Sequence, residues 1–502
     1  MIPVPGYEGR RVAVVGLGRS GITAARALAA GGAIPILWDD GVSGRMQAQA
    51  EGFAVEDLTS ADWSGFAALV LSPGAPLTHP RPHWTVDRAR AADVPVIGDL
   101  ELFARAVAAL PQARRPQVVA ITGTNGKSTT TALIGWVLKQ AGLTVHVGGN
   151  IGIGVLALPE PSPQAVYVIE ASSYQMDLTD SFAPDVAILT NISPDHLDRH
   201  GGMEGYVAAK RRIFTHAGLA LVGVDEAWGA EIARTLSAQG RRVEPVCTEP
   251  SPLGGEGGSR SETDEGPHRA GSSSEEASQD RSPHPSPSGP PSPPRGEGYL
   301  ARPGSLIIGD QQVDLSASRS LPGRHNAQNA AFAYAAARAV GVSHEQAVAG
   351  LLTFPGLAHR MEAVGRLGEV RFINDSKATN ADAARQALAS YDRIFWIAGG
   401  RAKAGGIDDL RDLFSHIARA YLIGEAAEDF AGALGAIPHL VARTMEAAVQ
   451  AAAADAQVEG GPQVVLLSPA CASFDQYPDF EARGEAFRAA VLNLGAAPEP
   501  SA

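Results

Sequence analysis

Residues 118–131 read VVAITGTNGKSTTT: an apolar run, a glycine-rich turn, then a lysine followed by hydroxyls. That order predicts a strand, a tight loop and a helix start, the unit from which parallel α/β sheets are built. Gly123 and Gly126 reach backbone angles closed to other residues, so successive N–H groups along Thr124 and Asn125 can point at phosphate oxygens near the positive helix end. A nucleoside triphosphate would sit there, with Lys127 on its outer phosphates and Ser128, beside Thr129, reaching Mg²⁺. The spacing departs from G-x-x-x-x-G-K-[ST], because the position five before Gly126 is Ile121, so the loop reads as a shortened relative of that motif. Alone, the segment also fits an ordinary strand-to-helix turn.

The 502 residues exceed what one hydrophobic core supports and imply two to three domains, roughly 100–200 residues each. Hydrophobic residues make up 45%, yet no segment approaches the roughly 18 uninterrupted apolar residues of a membrane span. No charged segment followed by an apolar signal core opens the chain, so a cytoplasmic protein is expected. Cys247 and Cys471 are the only two cysteines, too few for a disulfide scaffold or a cysteine zinc site. A formal net charge of −13 opposes general nucleic-acid binding and favours a small-molecule substrate.

Outward from the loop, the first hundred residues alternate strand-like runs (12–15, 34–38, 69–71, 95–97) with alanine-rich helical stretches such as 21–30. This is βα rhythm, and the polar stretch 112–116 closes it. Residues 248–298 turn to Ser, Pro, Gly, Glu and Arg without an aromatic side chain, and are expected to be a disordered insertion. Strand-like runs resume at 305–308. The stretch 321–340 predicts a glycine turn and a long alanine-rich helix, residues 354–357 a hinge, and the remainder repeats βα alternation with strands at 370–374, 394–398, 420–423 and 464–468 and helices between.

Several polar constellations fall at strand ends. Gly16, Gly18 and Gly21 form G-x-G-x-x-G after one strand, and Asp39 closes the next, which suits NAD, another diphosphate or tight helix-to-strand packing equally well. Glu170 ends the run 165–169 and could bind Mg²⁺. The stretch 189–200, LTNISPDHLDRH, offers Asn191, Asp195, His196, Asp198 and His200. By itself it suits turn chemistry, but beside Glu170 and the phosphate loop it suits metal chemistry. The trio Lys210, Arg211, Arg212 reads as a solvated face. Residues 374–380, NDSKATN, read as a satisfied turn or as a ligand loop. His359 and Arg360, beyond the hinge, read as a surface ion pair or as an arginine carried onto phosphates when domains close.

Assembled in order, these pieces resemble the Mur ligases, ATP-dependent amide-forming enzymes of peptidoglycan synthesis, over nearly the whole chain except 248–298. The matching elements are GLGRSG at Gly16, SPG at Ser72, TGTNGKST at Thr122, GGNIG at Gly148, EASSYQ at Glu170, NISPDHLDRH at Asn191 and AAK ending at Lys210. LPGRHNAQN at Leu321, HR at His359, NDSKATN at Asn374, GGRAK at Gly399 and SPACASFDQYPDFEARGEAF at Ser468 complete the series. A DNPR motif is absent, and the last run looks like the glutamate-adding branch. The resemblance implies an α/β protein of three domains: an N-terminal Rossmann-like domain (1–113), a central P-loop-type ATPase domain (114–355) and a C-terminal Rossmann-like domain (356–502).

It implies a monomeric enzyme that uses ATP and two Mg²⁺ ions to join UDP-N-acetylmuramoyl-L-alanine to D-glutamate. Lys127, Glu170, His196 and Lys210 would be catalytic. Ser128 and Glu170 would bind one metal ion, and His196 with Lys210, the lysine as a carbamate, the other. Asn326 would lie near adenine, with Arg360, Asp375 and Lys377 around the nucleotide after closure. Gly16, Leu17, Gly18, Asp39, Ser72, Asn150, Ser172, Gln175 and His196 would hold the UDP-sugar. Lys403 and Thr379 would grip the α-carboxylate of D-glutamate, and Ser473 with the backbone at Phe480 its γ-carboxylate. The segment Asp39–Asp40–Gly41 lacks the arginine that some relatives carry there.

Overall fold

The computed structural model describes residues 1–248, 298–309, 311–318, 320, 321, 323–402 and 405–499. Apolar β-branched runs form the strands, and three sheets follow one another along the chain. The first has the order Ala54–Val55, Ile34–Trp38, Arg11–Val15, Phe66–Leu71, Val96–Ile97, all parallel. Strand order reverses beside Arg11–Val15, which places a crevice between the loop at Gly16 and the loop at Ser72. Gly16 has φ 86°, and a Cβ there would lie 2.5 Å from that of Ser72, so the glycine is what lets the two loops meet.

The second sheet runs Gln311–Asp314, Ser305–Ile308, Tyr299–Arg302, Val243–Thr248, Leu219–Gly223, Val186–Leu189, Gln117–Thr122, Ala165–Glu170, Thr144–Gly149. Its last seven strands are parallel, and the first two add an antiparallel margin. Register sets Ile121 opposite Glu170 and Thr122 opposite Leu189. The strand ends carrying the glycine loop, Glu170 and Asn191 are therefore adjacent. Helix Lys127–Gln140 leaves the loop and packs with the almost wholly buried helix Gly323–Ala339 in one apolar cluster; the alanines allow close approach. The segment leaving the described fold is 249–297, since Thr248 ends one strand and Tyr299 begins the next. The expected disordered insertion therefore lies, but for its two end residues, outside the described residues. The sheet resumes at Tyr299, earlier than 305, because Tyr299–Arg302 pairs with both Val243–Thr248 and Ser305–Ile308.

The third sheet runs His439–Arg443, Ile417–Ile423, Ile394–Gly399, Gln463–Leu467, Val370–Asn374, Glu362–Leu367, Ala497–Pro498. The first five strands are parallel and the last two antiparallel. One connection expected to be α-helical is instead the 3₁₀ segment Asp408–His416. Gly405 and Gly406, both at positive φ, precede it, and its buried residues Leu410 and Phe414 pack on the apolar cluster of the third sheet.

Candidate active site

The glycine loop is held from three sides before any ligand is considered. Gly126 caps helix Lys127–Gln140 in the left-handed region. Thr124 N donates to Asn191 O at 2.9 Å, Asn125 N to Asn191 Oδ1 at 2.9 Å, and Thr190 Oγ1 to Asn125 O at 2.7 Å. Thr124 Oγ1 donates to Ser193 O at 3.1 Å and lies 3.0 Å from the Tyr206 hydroxyl. Lys127 Nζ donates to Gly123 O at 2.9 Å and Thr124 O at 2.7 Å. Lys210 Nζ reaches the same Gly123 carbonyl at 2.6 Å and lies 4.6 Å from the centre of the Tyr206 ring. The basic trio thus divides: Lys210 is buried, whereas Arg211 and Arg212 are exposed. Burial first, and the neighbouring Lys127 charge second, push the Lys210 ammonium well below the usual lysine range. Lys127 is lowered chiefly by burial as well.

Glu170 faces these cations as a buried side chain. Its Oε1 accepts from Asn150 Nδ2 at 2.8 Å, while Oε2 is buried with no hydrogen-bond partner. An orphaned carboxylate oxygen is costly unless a cation meets it. A bare carboxylate oxygen at the strand end beside the phosphate loop is the hard donor Mg²⁺ takes when a hydroxyl such as that of Ser128, phosphates and water supply the rest, so these residues fit the ion. Among the described residues no three His, Cys, Asp or Glu side chains gather as a metal cluster. His196 sits at φ 53°, 3.3 Å from Asp195 and 4.9 Å from the Tyr174 ring centre. His200 is instead a structural link, 3.0 Å from both Asp177 and Ser173.

Across a cavity of about 440 Å³, inside the roughly 300–1,000 Å³ span of small-molecule sites, the third sheet supplies the opposite wall. Arg360 NH2 donates to Ser128 Oγ at 2.7 Å. Thr129, Asn326, Asp375 and Lys377 line the same cavity. Asn326 accepts from Asn329 Nδ2 at 3.1 Å, and Asn329 in turn accepts from Thr130 at 3.0 Å. Burial raises the Asp375 carboxyl to about 7, although Ser468 donates to it at 2.9 Å. Lys377, brought down to about 8 chiefly by burial, lies 3.7 Å from the Phe480 ring centre.

On the first sheet, both Asp39 oxygens accept backbone amides, from Leu17 and Gly41 at 2.7 Å each, so this carboxylate shapes the turn at Gly16 and Gly18. Ser172 and Gln175 form a capping box, and Gln175 also donates to buried Asp99 at 3.2 Å. In the third sheet Ser473 is buried and Thr379 half-buried. Backbone bonds tie Arg401 to Ala472 at 2.9 and 3.0 Å. Phe480 opens a 14-residue helix after its cap Asp479. Lys403 lies outside the described residues.

Residues 121–249 match the Mur ligase middle domain and residues 359–471 the Mur ligase glutamate ligase domain. The chain is 57% identical to the UDP-N-acetylmuramoylalanine–D-glutamate ligase of Caulobacter vibrioides, over 99% of this chain and 98% of that one. It is 50% identical to the ligase of the same name from Agrobacterium fabrum, over 98% and 97%. The chain belongs to the Mur ligase family. Among solved structures, the fold is similar to the UDP-N-acetylmuramate-alanine ligase MurC of Thermotoga maritima, with TM-score 0.55 and 15% identity over 97% of this chain and 99% of that one. A pseudomurein peptide ligase type C from Methanothermus fervidus gives TM-score 0.54 and 17% identity over 97% and 100%.

In this Mur ligase several residues that carry the site's shape were not singled out by sequence reasoning. Arg483 is fully buried: its guanidinium donates to Ser376 Oγ at 3.1 Å and Ser376 O at 2.8 Å, joining helix Phe480–Asn493 to the 374–380 loop. Its place inside FEARG was visible, but nothing local marks it as buried. Arg45 donates to the carbonyls of Asp39 and Asp40 and lies 4.6 Å from the centre of the Trp38 ring, so it holds the 39–41 turn from the following helix. Glu226 accepts from Ile192 N at 2.6 Å on the cavity wall, and burial raises it to about 7.

Proposed function

We propose that this Mur ligase adds D-glutamate to UDP-N-acetylmuramoyl-L-alanine with ATP, through an acyl phosphate, releasing ADP and phosphate. The observation that carries the ATP step is the Arg360–Ser128 bond, because it puts a cation from one sheet on the phosphate loop of another. The identity of the acceptors rests on the full-length likeness to the D-glutamate ligases. We read the domains as 1–113, 114–355 and 356–502, for the UDP-sugar, ATP and D-glutamate respectively, in a monomeric cytoplasmic enzyme. Among the described residues no helix is long and apolar enough to cross a membrane.

A carboxylate resists attack by an amine. One of its oxygens therefore attacks the γ-phosphorus and ADP leaves; the D-glutamate amine then attacks the acyl carbon, phosphate leaves and the nitrogen sheds its proton. Both steps concentrate negative charge, so positioning and fixed cations do most of the catalysis. Lys127 and Arg360 converge where that charge develops. The amides of Thr124 and Asn125, expected to face phosphate, are instead taken by Asn191; Gly123, Thr124 and Asn125 shape the loop, and Gly126 to Thr129 at the helix start present backbone amides to the phosphates. Asn326 contributes at the adenine end, with Asp375 and Lys377 around the nucleotide. Mg²⁺ would neutralise charge on the transferring phosphate, held by Ser128 and Glu170, with His196 and Lys210 at a second ion. Burial lowers the pKa of the Lys210 amine, and an unprotonated lysine amine can attack CO₂ and lose a proton, which makes Lys210 an apt carbamate. Gly16, Leu17, Gly18, Asp39, Ser72, Asn150, Ser172, Gln175 and His196 form the UDP-sugar side. Thr379, Lys403, Ser473 and the Phe480 amide form the glutamate side. Closure of the third sheet keeps water from the acyl phosphate.

Phosphate release from ATP, measured with Mg²⁺ and UDP-N-acetylmuramoyl-L-alanine, is expected with D-glutamate. Release with L-glutamate, D-aspartate or L-lysine instead would overturn the reading of the acceptor site, and release with none would overturn the ligase reading.

A further inference from the structure

Helix Ala381–Leu388 starts on the cavity wall, capped by Asn380, whose side chain accepts from Ala383 N at 2.8 Å. Asp382 is therefore not needed to start the helix. Its carboxylate leaves its own sheet: Oδ2 accepts from Ser193 Oγ at 2.8 Å and from Asn125 Nδ2, residues 189 and 257 positions away in sequence. Both donors belong to the hydrogen-bonded web around the phosphate loop, where Ser193 N donates to Thr124 Oγ1 at 3.0 Å and Asn125 N to Asn191 Oδ1. Hydrogen bonds to a carboxylate oxygen are short and directional.

The apolar clusters sharpen the point. Those of the third sheet begin at Val364 and contain no residue of the central sheet. Only Leu357, at the hinge, packs on the central apolar cluster among the described residues from 356 onward, so polar contacts decide the register in which the third sheet meets the phosphate loop. We propose that Asp382 is the interdomain latch that sets this register and, through Asn125, positions the loop for ATP. It is a positioning residue that touches no reacting atom. The latch stands on the geometry alone; the positioning of the loop rests on the ATP reading above.

The test uses the full-length protein with spin labels on Gln239→Cys and Val458→Cys, exposed positions at the end of helix Ala227–Ala238 beside the central sheet and in helix Met445–Glu459 beside the third; the two native cysteines are buried. Without nucleotide, one narrow distance distribution is expected. Asp382→Ala should broaden it and shift it to longer distances, and Ser193→Ala should do so partially. Should Asp382→Ala not fold, Ser193→Ala carries the comparison. An unchanged distribution in a folded variant overturns the latch. In kinetics, Asp382→Ala should raise KM for ATP about tenfold with kcat within about threefold. A fall in kcat at unchanged KM overturns the positioning role. A shifted distribution in a protein whose unsubstituted form releases no phosphate would leave the latch standing and remove the ligase reading instead.

Discussion

The two boundaries of the central sheet are built differently. Toward the first sheet the core is continuous: one apolar cluster holds Ile2, Val4, Leu28 and Phe103 together with Leu156, Tyr167 and Phe182. Buried carboxylates secure the same seam. Glu101 accepts from Asp180 N at 2.8 Å and from Ser181 N and Oγ at 2.9 Å, and Gly98 N donates to Leu178 O at 3.0 Å. Toward the third sheet there is a polar-walled cavity bridged by Arg360 and Asp382. Separating apolar surface costs about 25 cal/mol per Å², whereas a few hydrated polar contacts exchange readily with water and ligand. The first boundary is built to stay shut and the second to open.

Breaking the second boundary at its cation should produce the largest effect. Arg360→Ala is expected to lower kcat/KM for ATP by about 10³-fold while moving the melting temperature by less than about 2 °C; steady-state kinetics and calorimetry together check both. The converse holds at the first boundary. Glu101→Ala takes the acceptor from the part-buried Asp180 and Ser181 amides and leaves Arg105 with Tyr7 alone, so a loss of about 3 kcal/mol in denaturant unfolding is expected, with KM for ATP within about twofold.

The two boundaries should also respond oppositely to pH. Burial alone would raise Glu101, but the amides of Asp180 and Ser181 and the Arg105 guanidinium outweigh it and hold its pKa below the usual range. Its stabilisation is therefore present above the unfolded carboxylate pKa and lost as pH falls through the folded one. On the cavity wall burial takes Glu226 from 4.5 up to about 7, so its contribution is complete below 4.5 and lost as pH rises through about 7. Glu226→Gln should stabilise the nucleotide-free protein by about 2–3 kcal/mol at pH 8 and by little at pH 5. Melts at the two values decide this. The smallest effect belongs to neither boundary: Arg393→Ala removes the exposed 2.6 Å pair with Glu459 and should shift the melting temperature by less than about 1 °C.

Local patterns were legible where chemistry is local. The strands Ile34–Trp38 and Val370–Asn374 occupy the stretches read from the sequence. The apolar run ending in GTNGKS becomes a strand, a loop with two left-handed glycines and a helix, because those residue types leave the backbone few alternatives. Asp408–His416 and the strand at Tyr299 were misjudged, since helix type and strand onset there depend on neighbours distant in sequence. Around the site, the trio at 210–212 has one sequence pattern but two fates, and only the turn of its helix against the phosphate loop buries Lys210 alone.

The sequence by itself therefore determined the α/β class, the phosphate loop and the set of polar residues at strand ends, because each follows from backbone freedom and apolar periodicity over a few residues. Only the tertiary structure decided that Arg360 meets Ser128 and Asp382 meets Asn125, that Asn150 takes one oxygen of Glu170 and leaves the other bare, and that Arg45 stacks on Trp38. Those pairings depend on strand order and on how one sheet closes over another, and no short stretch of chain encodes the distance between residues hundreds of positions apart.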